Sequence, residues 1–122
     1  MNSDSLKQIV KDKYGEIAAT GTKIVPQENC GCCGDDTNIN FSDDYTQLDG
    51  YNPDADLGLG CGVPTEFAAI SEGDHVLDLG SGAGNDCFVV RSIVGEKGRI
   101  TGLDFTDEML AKARKNVDKL GY

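Results

Sequence analysis

The chain has 122 residues, a formal net charge of −10 and a pI of about 4.3, which is enough for one small acidic domain. An acidic surface repels phosphate backbones and so argues against nucleic acid as a partner. The sequence contains no apolar run of the ~20 residues that a membrane-spanning helix needs, and its polar start lacks a secretory signal. We therefore expect a cytoplasmic protein without membrane attachment, whose five cysteines stay reduced.

The N-terminal segment, residues 1–62, is predicted to hold one helix and a cysteine-rich loop. Apolar residues at helical spacing predict a helix over residues 5–20, with Asp4 or Ser5 as its cap. The stretch from 21 to 62 has no periodic apolar pattern. Because it is longer than an ordinary loop, we expect it to be either a functional lid or mobile.

Residues 63–122 alternate between strand and helix patterns and form the second predicted unit. Pro64 suits the start of a short helix that runs to about Ile70. The patterns after it predict a buried strand at 75–79, a helix at 85–94, a buried strand at 99–104 and a helix at 106–120 capped by Thr106. Because a crossover helix joins parallel strands, the fold class is α/β, a partial Rossmann-like fold of βαβα with N-terminal helices. Two strands are too few for such a sheet, so we expect a truncated domain that self-associates through unpaired strand edges.

A glycine-rich loop follows the first of these strands. Gly80, Gly82 and Gly84 let the backbone turn sharply and approach a ligand, and the next helix offers free N–H groups there. Asp104, at the tip of the second strand, can accept two hydroxyl donors from a ribose. This layout predicts a nucleotide-like cofactor across the carboxyl ends of both strands. The alternatives are a purely structural turn, or a nicotinamide or flavin cofactor.

The spacing of the glycines separates two cofactor classes. A dinucleotide fingerprint, G-x-G-x-x-G, requires its third glycine at position 85, which is Asn85 here. Asp78 instead begins an acid-x-Gly-x-Gly-x-Gly pattern, which resembles motif I of the class I S-adenosylmethionine-dependent methyltransferases. The resemblance implies that Asp104 binds the ribose of S-adenosylmethionine and that Phe105 packs against its adenine. The cofactor residues implied in full are Asp78, Gly80, Ser81, Gly82, Gly84, Asp104 and Phe105.

Four cysteines outside the predicted helices and strands form a second candidate site. Cys30, Cys32 and Cys33 lie within four residues, and Cys61 lies between two glycines that leave its sulfur unshielded. Cys30 and Cys33 have the spacing of a zinc half-site, but no second C-x-x-C pair completes it. Dense thiolates also prefer other soft ions, and trivalent arsenic fits that preference. Cys87, at the start of a core-facing helix, is expected to be a small buried apolar residue.

The segment Gly60-Cys61-Gly62-Val63-Pro64, followed by motif I, closely resembles the arsenite methyltransferases in their microbial branch. Tyr14-Gly15 near the start and the early cysteine cluster belong to the same resemblance, as does the run from Ser81 to Phe88. The resemblance covers most of residues 10–122. Its most specific part is the Gly-Cys-Gly-x-Pro segment.

The resemblance to this family implies roles for the cysteines. Cys61 would be the first essential cysteine, in disulfide relay or arsenic handling, and Cys30, Cys32 and Cys33 would be accessory thiols. The arsenic(III) ligands implied within this chain are Cys61, Cys32 and Cys33. The two cysteines that hold arsenic for methyl transfer lie later in the family's chain, beyond Tyr122, so we expect this chain alone to be inactive.

The reaction implied is methyl transfer from S-adenosylmethionine to arsenic(III). The lone pair of a thiol-bound arsenic attacks the sulfonium methyl group, so the enzyme mainly positions the reactants and excludes water. Arsenite would be the substrate, with thioredoxin or glutathione as the thiol reductant. Two alternatives stay open: a methyltransferase of another small molecule, and a non-enzymatic cysteine-rich module that binds a soft metal.

Overall fold

The computed structural model describes residues 2–21, 45–59 and 63–122. Its elements are, in chain order, helix α1 (Ser3–Thr20), a 3-10 helix (Pro64–Glu66), strand β1 (His75–Leu79), helix α2 (Asn85–Val94), strand β2 (Arg99–Leu103) and helix α3 (Asp107–Leu120). The two strands pair in parallel, with His75 opposite Arg99 and Leu79 opposite Leu103. The predicted βαβα order and the parallel pairing are confirmed.

Helix α1 begins earlier than the sequence pattern predicts. The side-chain oxygen of Asn2 accepts the backbone N–H of Ser5 at 2.8 Å, so the cap predicted at Asp4 or Ser5 is wrong. An asparagine is as good an N-cap as either, because its amide oxygen satisfies one of the free N–H groups of the first turn. At the other end, Gly21 adopts a φ of 63° and closes the helix.

Two further helix predictions fail at their ends. The helix predicted from Pro64 to Ile70 is wrong beyond Glu66, because only one 3-10 turn forms there. Starting a helix is costly, and so short a segment adds few hydrogen bonds to offset that cost. Thr106 precedes α3 as predicted, but its hydroxyl makes no capping hydrogen bond.

The core joins α1, α3 and the stretch 45–59 around the glycine loop. Gly15 is buried where α1 meets α3, and a Cβ there would lie 3.0 Å from the carboxyl carbon of Glu108. The glycine that interrupts the helical pattern is thus the point of close helix approach. The residues of this core cluster are Ile17, Ala18, Ala55, Leu57, Ala83, Phe88 and Met109.

The stretch 45–59 is packed against α2. The Ser92 hydroxyl donates to the carbonyl of Asp49 at 2.9 Å. A Cβ at Gly50 would lie 2.4 Å from the carbonyl oxygen of Phe88, and Tyr45 is only 2% exposed. This part of the predicted lid or mobile segment is therefore part of the packed structure.

One face of the two-stranded sheet is uncovered in the described residues. Leu77, Leu79 and Leu103 are 59%, 70% and 57% exposed, so the prediction that both strands are buried is wrong for this face. Helix α2 packs on both strands, and Val76 and Ile100 are partly buried. Apolar side chains alternate between the two faces of a strand, so one covering layer buries only half of them. None of the helices in the described ranges is long and apolar enough to cross a membrane.

Candidate functional site

The glycine loop is fastened to the carboxyl end of β2. Gly80, Gly82 and Gly84 have φ values of 75°, 54° and 97°, a region that side chains rarely tolerate. The N–H groups of Gly80 and Ser81 both donate to the Leu103 carbonyl, at 2.7 and 3.0 Å. The loop therefore lies at the shared carboxyl edge of the strands, which is where ligands bind in such sheets.

Asp104 links this loop to the start of α3. One carboxylate oxygen accepts the N–H of Gly82 at 2.9 Å, and the other accepts the N–H of Thr106 at 2.8 Å. A carboxylate offers about four acceptor positions, so two hydrogen bonds leave capacity for hydroxyl donors. The predicted acid and the predicted loop are thus brought together.

A cavity of about 280 Å³ lies in front of the loop. Its walls come from Tyr14 of α1, the stretch 55–59, the glycine loop and residues 104–106, with Met109 of α3 behind. Carboxylates of Asp56, Asp86 and Asp104 line the cavity, and none of its described lining residues is basic. This charge suits a cationic ligand with hydroxyl groups and disfavours one that carries phosphates.

Three buried oxygens on the cavity wall have no hydrogen-bond partner within the described ranges. They are Asn85 Oδ1, Asp86 Oδ1 and Thr106 Oγ1. Buried polar atoms nearly always have a partner, so a group of exceptions in one cavity indicates donors that a ligand supplies. None of these three residues was predicted as a site residue.

The carboxyl group of Asp86 is held in an unfavourable place for a charge. Burial raises its pKa, a hydrogen bond from Tyr45 opposes the rise, and the charge of Asp78 adds to it. The position of Asp86 directly after motif I is a signal that could have found it.

On the opposite side of the loop, Asp78 has its hydrogen-bond partner within the protein. The thiol of Cys87 donates to the carboxylate of Asp78 at 3.2 Å. Burial, together with the charge of Asp78, raises the pKa of this thiol far above its usual range. The expectation that Cys87 is a buried apolar residue is wrong, because it is half-buried and acts as a protonated donor.

The predicted cofactor residues divide between the two sides of the loop. Asp78 and Gly84 do not line the cavity, and a Cβ at Gly84 would lie 2.9 Å from the ring of Phe88. The residues that do line it are Gly80, Ser81, Gly82, Asp104 and Phe105. Phe105 is 57% exposed there, so its ring is open to a flat ligand group.

The predicted arsenic site lies outside the described residues. Cys30, Cys32, Cys33 and Cys61 all fall in the ranges 22–44 and 60–62. Within the part of the chain that the structure describes, Cys87 is a free thiol, and no three His, Cys, Asp or Glu side chains form a metal-holding group.

The known proteins that resemble this chain are methyltransferases. Residues 70–122 match the family model of a methyltransferase domain. The arsenite methyltransferase of Halobacterium salinarum is 41% identical over 95% of this chain and 32% of its own length. That of Mus musculus is 41% identical over 99% of this chain and 32% of its own length.

A solved structure extends this similarity. An arsenic(III) S-adenosylmethionine methyltransferase from Chlamydomonas reinhardtii is 47% identical over 52% of this chain and 22% of its own, with a TM-score of 0.44. The chain spans about a third of the length of the curated relatives it matches. By its sequence similarity and its βαβα order, the chain is a homologue of the arsenite methyltransferases with part of the class I methyltransferase fold.

Proposed function

We propose that the chain serves in the methylation of arsenic(III) by S-adenosylmethionine. The observation that carries the proposal is its 41% identity to arsenite methyltransferases over nearly its whole length. The acidic cavity at the glycine loop supports the same cofactor, because S-adenosylmethionine bears a cationic sulfonium, an ammonium group and ribose hydroxyls. When bound, it supplies an electrophilic methyl group.

The residues proposed to hold the cofactor do so in two ways. Gly80, Ser81 and Gly82 let the backbone approach it, Asp104 accepts from the ribose hydroxyls, and Phe105 packs against adenine. Asp78 and Gly84 would act through the loop. Asp78 fixes the first turn of α2 through the thiol of Cys87, and Gly84 makes room for the ring of Phe88.

The substrate side of the proposal rests on the cysteines. Cys61, Cys30, Cys32 and Cys33 would handle arsenic derived from arsenite, with thioredoxin or glutathione as the reductant. Cys87 is left out of the ligand set, because only a thiolate binds the metalloid well and this thiol stays protonated. We place this chemistry in the cytoplasm, where thiols stay reduced.

Two titrations of the 122-residue chain test the proposal. Calorimetry with S-adenosylmethionine should show saturable binding, and arsenite should protect the cysteines from alkylation in mass spectra. Cofactor binding without protection would favour a methyltransferase of another small molecule. Metal binding without cofactor binding would favour a soft-metal module, and failure of both would contradict the proposal.

We also propose that copies of the chain associate through the two-stranded sheet, by the unpaired strand edges that the sequence leads us to expect and by its uncovered face. Leu77, Leu79 and Leu103 form an exposed apolar patch there, which water does not solvate well. Sedimentation should show larger species at high concentration. Leu79→Lys should shift the chain to monomer, whereas Thr101→Lys, on the same face and already polar, should shift it less. A stable monomer at all concentrations would contradict this.

A further inference from the structure

Asn116 is a buried polar residue on the apolar face of α3. Its exposed fraction is 4%, and it lies two helical turns after Met109, which is 2% exposed. Residues two turns apart share a face of the helix, so the pattern favours an apolar side chain at this position. A buried amide is unfavourable unless it is hydrogen-bonded, so the partner of Asn116 indicates what the residue does.

The partner of Asn116 is the glycine loop. Its side-chain Nδ2 donates to the carbonyl of Ala83 at 3.3 Å, in a buried contact. Ala83 is 3% exposed, belongs to the core cluster and lines the cavity in front of the loop. Asn116 does not itself line that cavity. It can therefore affect a ligand there only through the loop.

The contact with Asn116 differs from the other contacts that hold the loop. The first half of the loop is held by the end of β2, where the Leu103 carbonyl and the Asp104 carboxylate accept its N–H groups. Asn116 instead holds a carbonyl, in the second half of the loop, and it does so from α3. Helix α3 thus fixes a part of the loop that the strand ends leave to other contacts.

The peptide group between Ala83 and Gly84 has both of its polar atoms engaged. Its N–H, on Gly84, donates to the Ser81 carbonyl at 2.9 Å, and its carbonyl accepts from Asn116. The N–H and the carbonyl of a trans peptide point in opposite directions, so rotation of this group breaks both hydrogen bonds. Gly84 has a φ of 97°, and glycine adopts either sign of φ readily, so sterics alone do not prevent that rotation.

We infer that Asn116 is a positioning residue, which fixes the orientation of the Ala83–Gly84 peptide and thereby the shape of the loop that receives S-adenosylmethionine. A hydrogen bond in a buried place is electrostatically stronger than one in water. Without this donor the peptide populates other orientations, and the apparent affinity falls with the fraction of loops that can bind. The inference rests on the proposed cofactor, and it adds a residue that acts on the cofactor only through the loop.

Calorimetry and amide hydrogen exchange on the 122-residue chain test the inference. Asn116→Leu keeps about the size of the side chain and removes the donor, and Asn116→Asp keeps the shape and replaces the donor by an acceptor. Each variant should weaken binding of S-adenosylmethionine by about tenfold, because fewer loops can bind. The Gly84 amide should also exchange faster in both variants, because its hydrogen bond is lost whenever the peptide rotates.

Val94→Ala is the matched control for a loss of stability alone. Val94 is fully buried at the far end of α2, so its truncation leaves a cavity without changing a contact of the loop. Its affinity should equal that of the parent at a temperature where both are folded. If both Asn116 variants also kept the parent's affinity, and Gly84 exchanged in them as in Val94→Ala, the inference would be overturned. If the unmodified chain did not bind S-adenosylmethionine, the proposed cofactor would fall, and exchange at Gly84 would still decide the role of Asn116.

Discussion

The two sides of the glycine loop differ in how their polar groups are satisfied. On the cavity side, Asn85, Asp86 and Thr106 each keep a buried oxygen without a partner in the described ranges. On the sheet side, Asp78 accepts a hydrogen bond from the thiol of Cys87, and a Cβ at Gly102 of β2 would lie 2.7 Å from the hydroxyl of Ser81. The cavity side is open to a ligand, and the sheet side holds the loop in place.

The residues of motif I therefore have two different roles: some face the cavity, and others hold the loop in place. The spacing of an acid and three glycines indicates a single binding motif, yet Asp78 and Gly84 contact the protein itself. Asp104 does both, because it binds the loop N–H of Gly82 and faces the cavity. Changes on the cavity side should therefore alter affinity, and changes on the sheet side should alter stability.

The largest effect is expected at Asp104, which belongs to both tasks. Asp104→Ala removes the acceptor for Gly82 and Thr106 and the proposed acceptor for ribose. Each hydrogen bond to a charged group contributes about 1.5–3 kcal/mol, so binding of S-adenosylmethionine should fall by about 100-fold. Asp107→Ala, at an exposed partner of Lys11, is the matched control and should change little. Unchanged affinity in Asp104→Ala would sink the assignment.

On the sheet side, Gly102→Ala should destabilise the fold. A Cβ at Gly102 would lie 2.7 Å from the hydroxyl of Ser81 and 3.2 Å from the sulfur of Cys87. Relief of that overlap requires the loop to shift, which typically costs about 1–3 kcal/mol. Urea unfolding should show the loss. Thr101→Ala, at the exposed neighbouring position of β2, should lose much less stability. Equal losses in the two variants would mean that the close approach of Gly102 to Ser81 and Cys87 does not affect stability.

The sequence predicts the fold where the determining pattern is local. The strands, α2, α3 and the glycine loop are each set by apolar spacing, turn residues and caps within about fifteen residues. Asp104 was found because the tip of a strand is a fixed place in a crossover unit.

The remaining features depend on contacts between distant segments. Asp86 receives a hydrogen bond from Tyr45, which is far away in the chain. The exposure of Leu79 depends on which layers cover the sheet, which a five-residue strand pattern does not encode. Gly15, taken as an interruption of α1, is explained only by Glu108 on another helix.

Alkylation of Cys87 tests the contact between Asp78 and the Cys87 thiol on the sheet side of the loop. Burial raises the pKa of this thiol most, and Asp78 raises it further by its charge and by accepting a hydrogen bond from the thiol. Asp78→Asn should therefore increase the rate of iodoacetamide labelling at Cys87, because each unit by which the pKa of the thiol falls raises the thiolate fraction about tenfold. Mass spectrometry of the labelled peptide measures it. Asp74→Asn, at an exposed carboxylate, should leave the rate as it is; if both variants did so, the contact with Asp78 would not control the thiol.

The smallest effect is expected from Asp86→Asn on the melting temperature of the unliganded chain. The pKa of Asp86 is raised in the folded chain, so its protonated form favours folding, and that contribution is lost as pH rises through the folded pKa. Asparagine does not ionise, so Asp86→Asn should melt at a higher temperature than the parent near neutral pH.

Melting temperatures measured in acid are the control for the higher melting temperature expected of Asp86→Asn at neutral pH. Below the ordinary pKa of an aspartate, Asp86 is protonated in both the folded and the unfolded chain, and the two proteins should differ least there. An equal difference in melting temperature at about pH 3 and about pH 7 would show that ionisation is not the cause.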